Sequence, residues 1–191
     1  ELNAAIDRAW EIAKEGADIL DIGGESTRPG STGVGEEEEL QRVVPILESL
    51  SGRYPLPISV DTSKSGVAHA ALERGASILN DITSFQKDPQ IGAVAARYGA
   101  VVVLMHMRGT PHNMQTLPAS PDILKDIELW AKDAVARAQN SGVSSDSIVL
   151  DPGIGFGKTA AQNLEILRNL EKAGEEFNMA SRKKFGKQTE W

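Results

Sequence analysis

P-I-S-V-D-T-S-K-S-G-V-A-H-A-A-L-E-R-G-A-S-I-L-N-D, Pro57 to Asp81, holds one complete turn of the pattern that decides the fold. Pro57 to Val60 is apolar enough for a buried strand and ends at Asp61. Ser63 can cap a helix that runs to Arg74, where Gly75 stops it. A second apolar run, Ser77 to Leu79, ends at Asn80 and Asp81. The strands have few alternating polar residues, which suits a parallel sheet covered by helices.

The same pattern extends in both directions. Upstream, Ala17 to Ile22 reads as a strand and Gly23 to Gly35 as a loop. Glu36 to Leu50 reads as a helix, with Leu40, Val43, Val44, Leu47 and Leu50 on one face. The acidic run Glu36 to Glu39 reads as its solvated first turn, where acids favour the positive end of the macrodipole. Pro45 should bend this helix. Downstream come a helix near Gln90 to Tyr98 and a strand from Ala100 to Met105 that ends at His106. A long loop leads to a helix near Pro121 to Asn140, with Ile123, Ile127, Trp130, Ala134 and Ala138 on one face. Ser147 to Leu150 is a strand ending at Asp151, and a helix runs from about Ala160 to Leu170.

A doubly wound sheet and a barrel both fit this alternation. The barrel is favoured because Asp61, Asn80, Asp81, His106 and Asp151 all fall at strand C-termini, which converge on one site in a barrel. A whole barrel takes eight strands and roughly 250 residues. The expected architecture is therefore α/β, a TIM-type (β/α)8 barrel, here partial with about five clear strands. The 191 residues form one domain, with an atypical tail from Glu171 to Trp191. A first helix, Asn3 to Gly16, lacks a preceding strand, so the chain is expected to be truncated at both ends.

Composition narrows the function. A net charge of −7 argues against non-specific nucleic-acid or acidic-membrane binding, while an anionic substrate remains possible because local cations decide that. No cysteine is present, so disulfides and thiolate metal sites are excluded, which suits a cytoplasmic protein. No apolar run approaches the roughly 20 residues of a membrane span.

Chemistry is expected at the strand ends. Asp21, Asp61, Asp81 and Asp151 with Asn80 would make a polar ring, costly to hold in a partly dry mouth unless donors meet it. Asp151 could accept two parallel N–H bonds from an amidine-like edge. The segment Asp151 to Thr159, D-P-G-I-G-F-G-K-T, ends like a phosphate loop, but the required glycine is Pro152, and the dinucleotide fingerprint fails at Lys158. Its glycines instead allow close approach to a ligand, with Phe156 available to stack and Lys158 read as a solvated loop residue. Arg28 offers a planar fork to an anion, with a surface salt bridge as the alternative. His106 reads as a residue that holds its loop by hydrogen bonds rather than as a general base; it has no metal spacing with His69 or His112.

The segments D-I-G-G-E-S-T-R-P-G (21–30), I-S-V-D-T (58–62), I-L-N-D (78–81), M-H-M-R-G-T-P (105–111), D-P-G-I-G-F-G-K (151–158) and S-R-K (181–183) together resemble the dihydropteroate synthase family, in order and spacing. The resemblance implies a (β/α)8 barrel that joins para-aminobenzoate to a hydroxymethyl-dihydropterin pyrophosphate in folate synthesis. It implies that Asp61, Asn80, Asp151 and Lys183 bind the pterin, with Asp61, Asp151 and Lys183 in the catalytic set. It also implies that Thr27, Arg28, Pro29, Phe156 and Ser181 meet para-aminobenzoate or pyrophosphate. Mg²⁺ is the implied cofactor, although the family's Asn-x-Thr-Pro loop with its Asn ligand is not in this sequence, nor is the C-terminal Arg and His strand. Full-length members of the family are often homodimeric. Two other readings stand beside it: a pterin-dependent methyltransferase and a non-catalytic pterin-binding fragment.

Overall fold

Five strands form one parallel sheet, and they lie side by side in chain order. The computed structural model describes residues 2–28, 30–171 and 174. Strands β1 (Leu20–Gly23), β2 (Ile58–Asp61), β3 (Ile78–Asp81), β4 (Val101–Met105) and β5 (Ile148–Asp151) alternate with helices α1 (Leu2–Lys14), α2 (Glu36–Leu50), α3 (Ser65–Glu73), α4 (Gln90–Tyr98), α5 (Ile123–Asn140) and α6 (Ala160–Arg168). Unbroken sequential order is that of a barrel wall; a doubly wound sheet reverses at a switch point. The wall is open, with β1 and β5 each paired on one side among the described residues. The chain is a five-strand part of a TIM-type barrel.

Register assigns every strand residue to a face, because parallel partners share one. Leu20, Ile22, Ile58, Val60, Leu79, Val102, Leu104 and Ile148 belong to one set and are buried against the helices. Asp21, Ser59, Asp61, Asn80, Val103, Val149, Met105 and Asp151 belong to the other, the barrel's inner face. The helices meet the outer set with Val43, Leu47 and Leu50 of α2, Val67 and Ala71 of α3, Ile91 and Ala95 of α4, and Ala134 and Ala138 of α5. Each fully buried Leu, Val or Ile contributes about 1.5–3 kcal/mol. Helix α1 is held by Tyr54, whose hydroxyl donates to the Ala9 carbonyl at 2.7 Å and whose ring meets Trp10 edge-on at 5.3 Å.

Three local expectations change. The buried row of α2 is Glu39, Val43, Leu47 and Leu50, with Leu40 and Val44 half-buried. Glu36 to Glu38 are exposed as expected, but Glu39 is wholly buried. Pro45 lies inside the continuous helix, where a bend and not a break was expected. Ser63 does not cap α3; the Asp88 carboxylate, 23 residues ahead of Ser65, accepts the Ser65 amide at 2.8 Å instead. Helices α5 and α6 start as their sequences suggest, with Asp122 capping the Lys125 amide and Thr159 closing a capping box with Gln162. No helix among the described residues is long and apolar enough to cross a membrane.

Candidate functional site

The loops after β1, β2, β3 and β4 enclose a cavity of about 470 Å³, whose lining includes Thr27, Asp61, Ser63, Thr83, Lys87 and Thr110. That volume suits a small molecule. Below it lies the inner face, where Asp61 and Asn80 are direct register partners on β2 and β3. Asp151 shares this face two strands away, beside Met105, and its Oδ1 accepts the Gly153 amide at 2.7 Å.

Asp61 is the most perturbed acid in the site. Burial, followed by the charges of Asp21, Asp81, Glu39 and Glu25, raises its pKa from 3.8 to about 7. A carboxyl poised near neutrality in a cleft is a marker of function.

Two of the five polar residues at strand ends turn elsewhere. Asp81 belongs to the outer set and is fully buried. Its oxygens accept the Thr83 amide and hydroxyl, both at 2.8 Å, and the Phe85 amide at 2.7 Å. These bonds hold Ser84 (φ 53°) and Phe85 (φ 64°) in the left-handed region, a strained turn that non-glycine residues keep only when their surroundings enforce it. Further constraint comes from the Ser84 hydroxyl donating to the Met105 carbonyl at 3.0 Å and from Arg137 Nε donating to the Ser84 carbonyl at 2.8 Å. His106 packs against Trp130 of α5, ring centroids 5.5 Å apart, and its buried Nδ1 has no hydrogen-bond partner. Burial and the nearby Lys158 charge lower its pKa from 6.5 to about 4, so it is neutral at physiological pH. Its backbone holds the loop: the amide donates to the Asp151 carbonyl at 2.8 Å.

The loop after β5 also differs from its sequence reading. Lys158 is buried, and its ammonium donates to the carbonyls of His106 (3.0 Å), Gly153 (2.8 Å) and Phe156 (3.0 Å). Burial lowers its pKa to about 8. The glycines serve contact within the protein. A Cβ on Gly153 would lie 2.1 Å from the His106 carbonyl oxygen, and one on Gly157 would lie 2.5 Å from that of Arg108.

Of the residues that the family resemblance assigned, Thr27 and Asp61 line the cavity, and Asn80 and Asp151 share the inner face with Asp61. Arg28 is exposed in the loop after β1, and Phe156 is half-buried in the loop after β5. Pro29, Ser181 and Lys183 lie outside the described residues. The loop after β1 crosses toward the loop after β4, with the Gly30 amide donating to the Pro111 carbonyl at 3.2 Å.

Sequence reasoning passed over two cations here. Lys87 reaches the cavity wall, donating to the Ser63 hydroxyl at 3.0 Å. Lys64 lies behind the wall and binds both Glu25 and the buried Glu39. The row Glu39, Val43, Leu47 at helical spacing was the signal for the second. Among the described residues, no three His, Asp or Glu side chains are grouped to hold a metal ion.

Residues 1–190 match the family described as pterin binding enzyme. The dihydropteroate synthase of Clostridium beijerinckii is 45% identical over 92% of this chain and 62% of its own length. That of Escherichia coli is 42% identical over 87% and 58%. Among solved structures, a Yersinia pestis dihydropteroate synthase in complex with a sulfonamide drug superimposes with a TM-score of 0.86 at 42% identity, covering 90% of this chain and 62% of that one. A Xanthomonas albilineans dihydropteroate synthase with 4-aminobenzoic acid gives 0.84 at 39% identity, covering 91% and 61%. The chain spans about three fifths of the length of these relatives.

Proposed function

The chain belongs to the pterin binding enzyme family, and from that premise we propose that it is the substrate-binding part of a dihydropteroate synthase. The reaction would join para-aminobenzoate to 6-hydroxymethyl-7,8-dihydropterin pyrophosphate. The bond from the exocyclic methylene carbon to the pyrophosphate oxygen breaks, the aromatic amine bonds to that carbon, and the nitrogen releases one proton.

The observation that carries this reading is the inner face itself. Asp61 and Asn80 stand side by side and Asp151 lies across the floor, so acceptors and an amide face one flat space. A pterin presents an amidine-like edge of parallel N–H donors, and a carboxylate meets it with two charge-assisted bonds. Asp151 has one oxygen on Gly153 and the other available to such an edge. Loss of pyrophosphate leaves a pterin-methylene cation, which the ionised form of Asp61 would stabilise electrostatically. Thr27 at the cavity wall and Arg28 in the same exposed loop suit the aminobenzoate carboxylate or the pyrophosphate. Lys183, Ser181 and Pro29 join this assignment by the family resemblance, Phe156 as the aromatic partner of the aminobenzoate ring. Mg²⁺, the family's implied cofactor, would be held mainly by the pyrophosphate oxygens and water rather than by a cage of side chains, and would neutralise the leaving group. The reading carries with it a cytoplasmic setting and the homodimeric state frequent in the family.

The test is an assay of the chain extended by the flanking segments of one of these relatives. Both substrates should then give dihydropteroate, and Asp61→Asn should abolish it. An extended, folded chain that binds neither substrate would remove the proposal.

A further inference from the structure

Glu39 raises a question that the proposed chemistry does not answer. It lies in the first turn of α2, is wholly buried, and does not line the cavity. A bare carboxylate in such a place is costly unless a cation meets it. Lys64, 13% exposed in its side chain and just past the end of β2, meets it and meets Glu25 as well. Glu25 belongs to the loop after β1, two residues before Thr27. One ammonium thus joins three segments separated by 25 and 39 residues along the chain.

The backbone around this group is built to admit it. A Cβ on Gly24 would lie 2.8 Å from Glu39 Cγ and 2.9 Å from Val43 Cγ2, so the loop presses directly on α2. Arg42 Nη1 of the same helix donates to the Gly24 carbonyl at 2.7 Å. On the far side of the loop, a Cβ on Gly33 would lie 3.0 Å from Glu25 Oε1. The Glu25 carboxylate therefore sits between the two legs of the loop, and Lys64 pulls on it from below. Thr62 and Ser63, the residues just before Lys64, line the cavity beside Thr27.

We propose that Lys64 is a positioning residue: clamped between Glu25 and Glu39, it fixes the loop that carries Thr27 and Arg28 over the inner face beside Asp61. It touches no ligand itself. Its role for ligand affinity rests on the function proposed above, whereas its hold on the loop does not.

Hydrogen exchange on the 191-residue protein and ligand titration on the extended chain separate the two. The Lys64→Met, Glu39→Gln double variant removes the buried charges together, leaving Glu25 free to turn to water. Glu25→Gln is the milder variant, since the Lys64–Glu39 pair stays intact. In both, amide exchange over residues 23–34 should speed up by about tenfold or more while α5 keeps its wild-type protection. Para-aminobenzoate, titrated with the pterin present, should bind about tenfold more weakly, with pterin affinity within about threefold of wild type. Lys64→Arg should restore much of the loop's protection, because it keeps the cation. Unchanged exchange over 23–34 in both variants would overturn the clamp, as would equal acceleration over the whole chain. A joint loss of pterin and para-aminobenzoate affinity would also count against it. An extended wild-type chain that binds neither ligand would sink the proposed function and leave the exchange result to decide the clamp.

Discussion

Asp151 and Asp61 share a face and differ in what holds them. Asp151 already accepts the Gly153 amide, so Asp151→Asn should leave the loop in place while losing a charge-assisted pair to the pterin. Pterin affinity should fall by about 2 kcal/mol in a calorimetric titration, and an unchanged affinity would take Asp151 out of the site. Asp61 speaks through stability. Its pKa is about 7 in the fold against 3.8 for the free group, so between those values the folded protein keeps a proton that the unfolded chain has released. The group thus favours the fold below about pH 4, and that contribution is lost as pH rises toward about 7. Asp61→Asn removes the loss. Above pH 7 the variant should melt higher than wild type, by about 2–4 °C for each kcal/mol recovered, and near pH 4 the two should coincide. Parallel melting curves across that range would show that Asp61 is not strained. The strand-end acids were visible in the sequence, but which face each would take was set by register. Asp81 stands next to Asn80 in the chain and points the opposite way for that reason.

At the scale of the element, the helices and strands fell where apolar spacing put them, and the miscalled details were partnerships across the chain. Ser63 looked like the cap of α3 because caps are usually local. The carboxylate that takes the Ser65 amide comes from Asp88, beyond the next strand, and no local pattern announces it. Asp88→Ala should cost about 1 kcal/mol in urea unfolding, whereas Ser63→Ala should cost far less. Glu39 was read as a solvated acid because a run of four glutamates at a helix start fits the macrodipole, and its cation lies 25 residues away. Lys158 was read as solvated since loop lysines usually are; here three carbonyls satisfy its three protons. Lys158→Met should leave those carbonyls short of a donor and destabilise the fold by about 1–3 kcal/mol, measured by denaturant titration.

Across the whole molecule, strand order distinguishes a barrel wall from a doubly wound sheet, and the sequence pointed to it by placing polar residues at strand ends. Three of the five such residues, Asp61, Asn80 and Asp151, share the inner face as that reasoning required. The open wall has a measurable consequence at Val149, which lies on the inner face of β5 and is 39% exposed. Val149→Lys should change the stability of this chain by no more than about 0.5 kcal/mol. In a chain extended until the wall closes, the same substitution would bury a charge and cost about 2 kcal/mol or more. The loops after β4 and β5 are joined by Lys158, by Arg108 Nη1 donating to the Pro118 and Gly157 carbonyls, and by Gln115 donating to the Gly155 carbonyl. Such a plate is inherited as a pair: grafting either loop alone from a homologue breaks bonds made by the other, so a chimera should fold only when both are exchanged together.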